Sequence, residues 1–356
     1  MMVERTVKKS SKVKLPTMHD VARLAGVSQP TVSRVLSQHE ITAQISDETR
    51  QRVLDAVKTL GYRPNAVARS LRTQRTQTVA LLVADLWNSF YHPMARAVQD
   101  VARQHDYEVL IVNSDHIYEN EKHFCEIVLG RGVDGVVMVP IRLTNEDLGH
   151  YVSQTNIPFV VLAEYVTHPN IDVVYVNDER ATYEATCWLA SECGYQKIGF
   201  VGVPDYMPPG PRRLRGFMQA LEDCGLMFDP RFLQIGDFTQ AGGAKAAYNL
   251  MQNEELPGVL VIANDLMAIG AVLAFQEAGY SVPGDIGIVG FDDIPEATIV
   301  RPTLTTIAQD PRDIGLKLAN ALFERIENPD IVERRVFESS FKLIPRQSTL
   351  YLKDRS

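Results

Sequence analysis

Hydrogen-bonding side chains cluster near the N-terminus, in the segment from Met18 to Leu36. Apolar residues recur there at helical spacing on both sides of Gly26, which predicts two short helices joined by a tight turn. Ser28 can cap the second helix, and Pro30 is tolerated in its first turn. The polar residues left pointing outward are Gln29, Thr31, Ser33 and Arg34. Such side chains can hydrogen-bond to base edges and phosphates, so the segment predicts a helix that reads the DNA major groove.

The apolar residues of these helices should form the core of a small domain. The residues predicted to face inward are Val21, Ala22, Leu24, Ala25, Val32, Val35 and Leu36. A third helix is predicted from about Ser46, because Val53, Val57 and Leu60 recur on one face. Gly61 is expected to end it. The sequence therefore predicts a three-helix domain that carries a helix-turn-helix.

Charge is distributed unevenly along the 356 residues. Residues 1–75 contain 14 Lys and Arg against 6 Asp and Glu, whereas the rest of the chain contains 22 against 38. A polyanion should be attracted to the N-terminal part and repelled by the remainder. Residues 1–16 are predicted to be a disordered basic tail. This tail is either a solvated charge run or a source of further phosphate contacts.

Missing sequence motifs exclude other classes of protein. The chain contains no apolar run long enough for a membrane span and no P-loop, G-x-S-x-G or H-E-x-x-H motif. The G-x-G-x-x-G motif at 130–135 follows a predicted helix rather than a strand, which argues against dinucleotide binding. No cofactor, no metal and no membrane contact are expected. Because no apolar segment follows the basic N-terminus, a secretory signal is not predicted and a cytoplasmic location is expected.

From Thr78 onward, apolar runs alternate with helical patterns. Strands are predicted at 79–83, 108–112, 135–139, 159–162 and 173–176, and in a second series at 198–201, 232–235, 259–262 and 286–289. Helices are predicted at 93–104, 119–129, 213–222, 242–251 and 266–278. This alternation predicts two α/β lobes, each with a doubly wound parallel sheet. Ligands bind at the carboxyl ends of such strands, so two facing lobes should enclose a cleft.

Taken together, a set of motifs resembles the lactose-repressor (LacI/GalR) family of bacterial transcription regulators. The motifs are Asp20-Val21-Ala22, Ala25-Gly26-Val27-Ser28, Thr31-Val32-Ser33-Arg34-Val35-Leu36, Gly61-Tyr62-Arg63-Pro64-Asn65, Arg213 with Gly216-Phe217, Asn264-Asp265, Val289-Gly290-Phe291-Asp292-Asp293 and Pro302-Thr303-Leu304-Thr305-Thr306-Ile307. The resemblance implies a helix-turn-helix domain at 17–62, a hinge helix and linker at 63–77, and a two-lobed periplasmic-binding-protein-like effector domain at 78–356. Lobe 1 would comprise about 78–176 and 308–336, and lobe 2 about 177–307 and 337–356.

The resemblance also implies which residues contact DNA. They are Thr17, Ser28, Gln29, Pro30, Thr31, Ser33, Arg34, Asn65, Ala68 and Leu71. Among them Gln29, Pro30 and Arg34 would read bases, while Leu71 would wedge into the minor groove from a short hinge helix at 66–71. Alternatively, Gln29 is a solvated first-turn residue and Leu71 packs against the lobes. The loop between Leu36 and Ser46 is about three residues longer than is usual in the family, which could alter backbone contacts.

In the lobes, the resemblance implies an effector site. Its residues are Asp85, Phe90, Tyr91, Glu164, Arg213, Phe238, Asn264, Asp265 and Asp292, with Trp87 as a further candidate. An Arg facing a carboxylate suits the hydroxyls of a sugar. Alternatively, Arg213 and Asp292 only tie the lobes together, and Trp87 or Phe90 belongs to the core. The family carboxylate after the strand at 158–162 is replaced by Ala163, so either Glu164 substitutes for it or that contact is absent.

The function predicted from these features is a sequence-specific DNA-binding regulator, with repression the expected mode. It would bind a pseudo-palindromic operator in double-stranded DNA as a homodimer and respond to a sugar or related effector. A solute-binding protein of a transporter would need a secretory signal, and an enzyme would need a nucleophile–base pair or a cofactor loop; none of these is found. Whether the effector weakens or strengthens DNA binding stays open.

Overall fold

The computed structural model describes residues 16–36, 45–63, 70 and 74–349. The chain divides into two compact units between Thr76 and Gln77, and each unit is described by itself. Three predictions lie outside the described residues. They are nearly all of the basic tail, most of the longer loop after Leu36, and the hinge helix at 66–71 apart from Ser70.

Over residues 16–36 and 45–63, the first unit consists of three helices: α1 (Met18–Ala25), α2 (Gln29–Leu36) and α3 (Asp47–Leu60). Thr17 caps α1 and Ser46 caps α3, each by accepting a hydrogen bond from a backbone N–H of the first turn. Gly26 and Gly61 end α1 and α3 in the left-handed conformation, with φ of 65° and 61°. The three helices and their two glycine ends confirm the prediction for this part of the chain.

Leu24 departs from the predicted core of the first unit. Val21, Ala22 and Ala25 lie within one 100° sector of α1 and are buried with Val32, whereas Leu24 is 53% exposed. The prediction that Leu24 faces inward was therefore wrong. At 100° per residue its side chain lies on the far side of Val21 from the core.

The second unit consists of alternating strands and helices. In its first part these are β1 (Thr78–Val83), α4 (Tyr91–Gln104), β2 (Glu108–Asn113), α5 (Tyr118–Arg131), β3 (Gly135–Met138), α6 (Asn145–Ser153), β4 (Phe159–Leu162) and β5 (Ile171–Val176). Next come α7 (Asp178–Trp188), which continues into a π-helical turn, β6 (Ile198–Gly202), α8 (Pro209–Asp223), β7 (Leu233–Ile235), α9 (Gln240–Leu250), β8 (Val259–Ile262), α10 (Asp265–Glu277) and β9 (Gly287–Asp292). The last elements are β10 (Thr305–Gln309), α11 (Pro311–Glu327), β11 (Val336–Ser339) and β12 (Phe341–Ile344). Short 3-10 turns precede β7 and β10.

The strands form two six-stranded sheets that define two lobes. The order is β11-β5-β4-β3-β1-β2 in lobe 1 and β12-β10-β9-β8-β6-β7 in lobe 2. All pairings are parallel except that of β10 with the edge strand β12. The two predicted doubly wound lobes are confirmed. Because β10 belongs to lobe 2 and β11 to lobe 1, the chain crosses between lobes near Asp310 and Ser340, later than the predicted 308 and 337.

Among the residues that the structure describes, no helix combines the length and apolar character needed to cross a membrane. Likewise, no group of three or more potential metal-ligating side chains occurs within the described ranges.

A buried carboxylate fixes the return of the chain into lobe 1. Asp172 on β5 is fully buried and accepts hydrogen bonds from Arg325 on α11 at 2.6 and 2.7 Å and from Arg335 at 2.7 and 3.0 Å. Burial opposes the charge, but these donors outweigh it and hold the pKa of Asp172 below its usual value. One carboxylate therefore joins β5 to α11 and to the segment that leads into β11.

We predict that Asp172→Asn lowers the free energy of unfolding by about 3–5 kcal/mol, because two largely buried guanidinium groups lose their counter-charge. The matched control is Asp100→Asn, which breaks an exposed ion pair with Arg96 and should cost at most about 1 kcal/mol. Chemical denaturation of the full-length variants measures both. Equal losses for the two variants would contradict this reading of Asp172.

Candidate functional site

The first candidate site is the exposed face of α2. Val32 and Val35 anchor the helix in the core, and Gln29, Pro30 and Arg34 are exposed on its outer surface. Thr31 and Ser33 are half-buried beside them. The structure thus presents five of the predicted DNA contacts on one short helix. Its exposed hydrogen-bonding groups are the kind that read base edges.

Two further predicted DNA contacts are also helix caps. The Ser28 hydroxyl accepts from the Thr31 backbone N–H at 3.3 Å and lies 2.9 Å from the Thr31 hydroxyl. Thr17 and Asp20 form a capping box at the start of α1. The remaining predicted contacts, Asn65, Ala68 and Leu71, lie outside the described residues.

The second candidate site is a cavity between the two lobes. Its cavity volume is about 90 Å³, and it opens into a wider cleft whose empty space, including open solvent, is about 750 Å³. Loops at the carboxyl ends of strands from both sheets line it, as expected for parallel sheets. The predicted effector residues that the structure brings together here are Phe90, Tyr91, Glu164, Arg213, Phe238, Asn264 and Asp292.

An arginine pair that shares one carboxylate forms the polar centre of the cavity. Asp178, the first residue of α7, accepts from Arg212 at 2.5 and 3.2 Å and from Arg213 at 3.1 and 3.4 Å. All three side chains are largely buried. The close packing of α7 on α8 makes the arrangement possible, because a Cβ on Gly216 would lie 2.0 Å from the Glu179 carbonyl oxygen.

Further contacts fix the plane of the Arg213 guanidinium. One of its nitrogens donates to the Ala263 carbonyl oxygen at the end of β8, and its Cζ atom lies 3.6 Å from the centre of the Phe291 ring. Neighbouring Arg212 reaches across the cleft to Glu164 of lobe 1, with an N–O distance of 3.5 Å. The two guanidinium groups are thus held rigidly before any ligand arrives.

Asp292 brings a carboxylate to the end of β9. Its φ of 119° is in the region that favours glycine, so the backbone there is strained. Gln309 donates to its Oδ1 at 2.8 Å, and the side chain of Asn88 from lobe 1 also hydrogen-bonds to it. Burial raises the pKa of Asp292 to about 7, although the charge of nearby Arg213 acts in the opposite direction. A hydrogen-bond donor on a ligand would stabilise the ionised form.

An aromatic side chain from each lobe closes one end of the cavity. The Phe238 and His116 ring centroids are 5.8 Å apart. Phe238 also has positive φ, of 69°, and its carbonyl oxygen accepts a hydrogen bond from the Asn264 side chain at 2.9 Å. Burial lowers the pKa of His116, which favours the neutral imidazole. Asn264 therefore orients the ring, in addition to lining the cavity itself.

Glu121 shapes the wall of the cavity from behind. This fully buried carboxylate accepts from the backbone N–H groups of Ile141, Arg142 and Leu143 at 2.8–3.2 Å. Burial raises the pKa of Glu121 in spite of these donors. Glu121 thus holds the loop that carries Pro140 and Ile141 into the cavity, together with the Tyr165 hydroxyl, which donates to the Leu143 carbonyl oxygen at 2.7 Å.

Three predicted residues lie elsewhere. Asp265 is fully buried behind the cavity, where its oxygens accept from the Thr306 hydroxyl at 2.6 Å and the Ile294 N–H at 2.9 Å. Asp85 does not line the cavity and accepts from the Trp87 N–H at 2.8 Å in a local turn. Trp87 is 90% exposed, which excludes the core position considered for it. The geometry gives Asp265 and Asp85 roles in positioning loops rather than in ligand contact.

Several polar residues that line the cavity were not predicted from the sequence, among them Asp178, Arg212, Asn88 and Gln309. Asp178 and Gln309 lie at or just after the carboxyl ends of β5 and β10. The rule that ligands bind at strand carboxyl ends could therefore have identified Asp178, whereas β10 had not been predicted as a strand. Arg212 and Asn88 are adjacent or close to predicted residues, but no spacing signal distinguishes them.

Comparisons with known proteins agree with this architecture. A family model described as "Bacterial regulatory proteins, lacI family" matches residues 17–65, and one described as "Periplasmic binding protein-like domain" matches residues 190–349. The chain is 33% identical to Catabolite control protein A of Priestia megaterium over 334 residues, which cover 94% of this chain and 99% of that protein.

Two solved structures are similar over nearly the whole chain. A Lac repressor dimer bound to operator and the anti-inducer ONPF matches with a TM-score of 0.82 and 27% identity, covering 95% of this chain and 100% of that one. A complex of the transcriptional regulator CelR with cellobiose matches with a TM-score of 0.70 and 28% identity, covering 94% and 99%.

The raised pKa of Asp292 predicts a pH-dependent contribution to stability. Between its ordinary pKa of 3.8 and the folded value of about 7, the folded protein binds the extra proton, so this contribution is complete below pH 4 and is lost as the pH rises through 7. We therefore expect Asp292→Asn to lose less stability than the unmodified protein between pH 5 and pH 8. The difference is at most about 1.4 kcal/mol per pH unit.

Thermal-unfolding midpoints at pH 5, 6, 7 and 8 test this expectation. Asp172→Asn serves as a control, because the pKa of Asp172 is lowered and its loss should shift stability by the same amount throughout this pH range. Parallel profiles for Asp292→Asn and the unmodified protein would show that Asp292 does not titrate near neutral pH.

Proposed function

Because the chain belongs to the lacI family of bacterial regulatory proteins, we propose that it represses transcription by binding operator DNA as a homodimer under the control of a small-molecule effector. It is a DNA-binding transcriptional regulator rather than an enzyme, as its relatives are. The observation that supports the proposal best is that one chain combines an exposed, hydrogen-bonding α2 with a preorganised interlobe cavity.

A sugar or a related polyol is the proposed effector. Asp292, Asn264 and the arginine pair provide acceptors and donors on one side of the cavity, and Phe238 provides an aromatic face. Each sugar hydroxyl both donates and accepts, and apolar sugar faces pack on aromatic rings. The cellobiose complex of CelR supports this class of ligand.

Control of DNA binding is proposed to depend on the angle between the lobes. Polar contacts join the lobes beside the cavity: the Ser89 hydroxyl donates to Glu296 at 2.6 Å, and Arg142 lies over the Tyr206 ring at 4.2 Å. A ligand that favours one lobe angle would change the geometry of the 63–77 connection to the DNA-binding unit. Such couplings are typically worth about 1–3 kcal/mol and are reciprocal.

The proposal is tested first by binding of the full-length protein to a random duplex DNA library, followed by sequencing of the retained fragments. The expected result is one enriched, pseudo-palindromic motif whose complex weakens steeply with salt. Analytical ultracentrifugation should show two protein chains per DNA duplex. No enriched motif at moderate ionic strength would overturn the proposed function.

Arg34→Ala should weaken binding to the selected motif by about 1–3 kcal/mol and relax the base preference at one position per half-site. Lys58→Ala, which removes an exposed positive charge from α3, is the matched control and should leave the base preferences unchanged. Gel-shift titrations and repeated library selection measure both effects. A uniform loss over all sequences for Arg34→Ala would assign this residue to phosphate contacts instead.

Arg213→Gln should abolish the response to effector and leave operator binding in the absence of effector intact. The effector is found first, as the sugar or nucleoside that raises the thermal-unfolding midpoint; at about 100 times its Kd it should add roughly 2.7 kcal/mol. Arg231→Gln removes an arginine from an exposed ion pair in the same lobe and is the control. Loss of operator binding by folded Arg213→Gln protein would show a structural role.

A further inference from the structure

We propose that the interlobe cavity is selective for an uncharged, polyhydroxylated effector and excludes phosphorylated forms of the same molecule. The inference deepens the proposed function, since it rests on this cavity being the effector site. Three independent features of the cavity support it: the balance of its charges, the occupation of its guanidinium groups, and the composition of the helix start that faces it.

The ionisable side chains of the cavity wall favour a neutral ligand. When Asp292 is ionised, three carboxylates, from Glu164, Asp178 and Asp292, stand against the two guanidinium groups, and when it is protonated two remain, so the wall carries no surplus positive charge in either state. His116 adds no compensating charge, because burial lowers its pKa. A phosphate would therefore enter a cavity without surplus positive charge, and its desolvation would be poorly repaid.

The two guanidinium groups already have anionic partners. Asp178 accepts hydrogen bonds from both, and Arg212 also lies near Glu164. Phosphate binding by arginine normally uses two parallel N–H donors of the fork. In Arg213 the Nε and one terminal nitrogen face Asp178, and the other terminal nitrogen donates to the Ala263 carbonyl. Binding a phosphate through the Nε edge of either fork would therefore require its Asp178 contacts to break.

The start of α8 borders the cavity but lacks the donors of a phosphate-binding helix. Pro209 and Pro211, two of its first three residues, have no backbone N–H. The N–H of Gly210 between them donates to the Met207 carbonyl at 2.9 Å. Phosphate groups bind helix N-termini through these free first-turn N–H groups. Here prolines remove two of these N–H groups, and the Pro209 ring, together with that of Pro208, presents apolar surface to the cavity.

Uncharged hydroxyls of a ligand match the hydrogen-bonding groups of the cavity that protein partners do not fully occupy. The Asp292 carboxylate is nine-tenths buried, accepts from Gln309 and Asn88, and retains further lone pairs for a ligand donor. The raised pKa of Asp292 shows how this environment acts on a negative charge. Burial disfavours the ionised carboxylate more than the nearby charge of Arg213 favours it. A second anion beside it would face the same penalty.

The test compares ligands in matched pairs on the full-length protein, by thermal shift and calorimetry. Each pair is a neutral sugar or nucleoside and its phosphate monoester, such as ribose with ribose 5-phosphate and cytidine with its 5′-monophosphate. Inorganic phosphate is tested against sodium chloride at equal ionic strength. We expect the neutral member to bind at least tenfold more tightly wherever a pair binds, and inorganic phosphate to stabilise no more than chloride does. A monoester that binds as tightly as its neutral partner, or specific stabilisation by inorganic phosphate, would overturn the inference.

A variant tests the physical cause of the exclusion. Glu164→Gln removes one cavity carboxylate and frees Arg212, so inorganic phosphate should stabilise this variant more than chloride does. Glu146→Gln removes the same charge from the exposed first turn of α6, outside the cavity, and should respond like the unmodified protein. No gain of phosphate binding by Glu164→Gln would refute the electrostatic explanation. If the protein binds no DNA but still discriminates against phosphate, the proposed function is wrong while the inferred selectivity of the cavity stands.

Discussion

Asp178 lies where α7 begins and shares its carboxylate between two arginines at the start of α8. An unpaired charge at this depth would cost several kcal/mol, so the three groups constrain one another and the two helices that carry them. The glycine at 216 lets the helix backbones approach closely enough for this arrangement. The position of Arg213 in the cavity wall is thus set by packing within lobe 2.

The same constraint explains how the cavity can be polar and still selective. Because charged groups of the protein neutralise each other there, the cavity keeps directional hydrogen-bonding groups but has no strong net electrostatic field. Glu121 and Asp265 contribute from the second layer, since each holds a loop through backbone N–H groups: those of 141–143 for Glu121 and that of Ile294 for Asp265. The proposed effector site therefore depends on buried acids that do not line the cavity.

Local signals in the sequence predicted the parts of the fold that depend on local physics. The caps and glycine ends of α1 and α3 are short-range features, and central strands such as β3 and β8 are continuous apolar runs. Edge strands β11 and β12 carry exposed and polar residues, so their pattern gave no strand signal. The wrong prediction that Asp265 contacts the effector has a similar origin. Its position after the end of a strand does not reveal whether its side chain faces the cavity or the protein interior.

The contacts between the lobes differ in kind from those within them. Inside lobe 1, Asp172 is sealed from water with two arginines, whereas the Ser89–Glu296 and Arg142–Tyr206 contacts between the lobes each have one solvent-exposed partner, Glu296 and Tyr206. Exposed hydrogen bonds and cation–π contacts are worth on the order of 1 kcal/mol each. A ligand that forms a few hydrogen bonds to both lobes can therefore compete with these two contacts and with the hydrogen bond between Asn88 of lobe 1 and Asp292 of lobe 2. In the proposed mechanism, an effector of modest size needs only to alter such contacts between the lobes in order to shift the DNA-binding equilibrium.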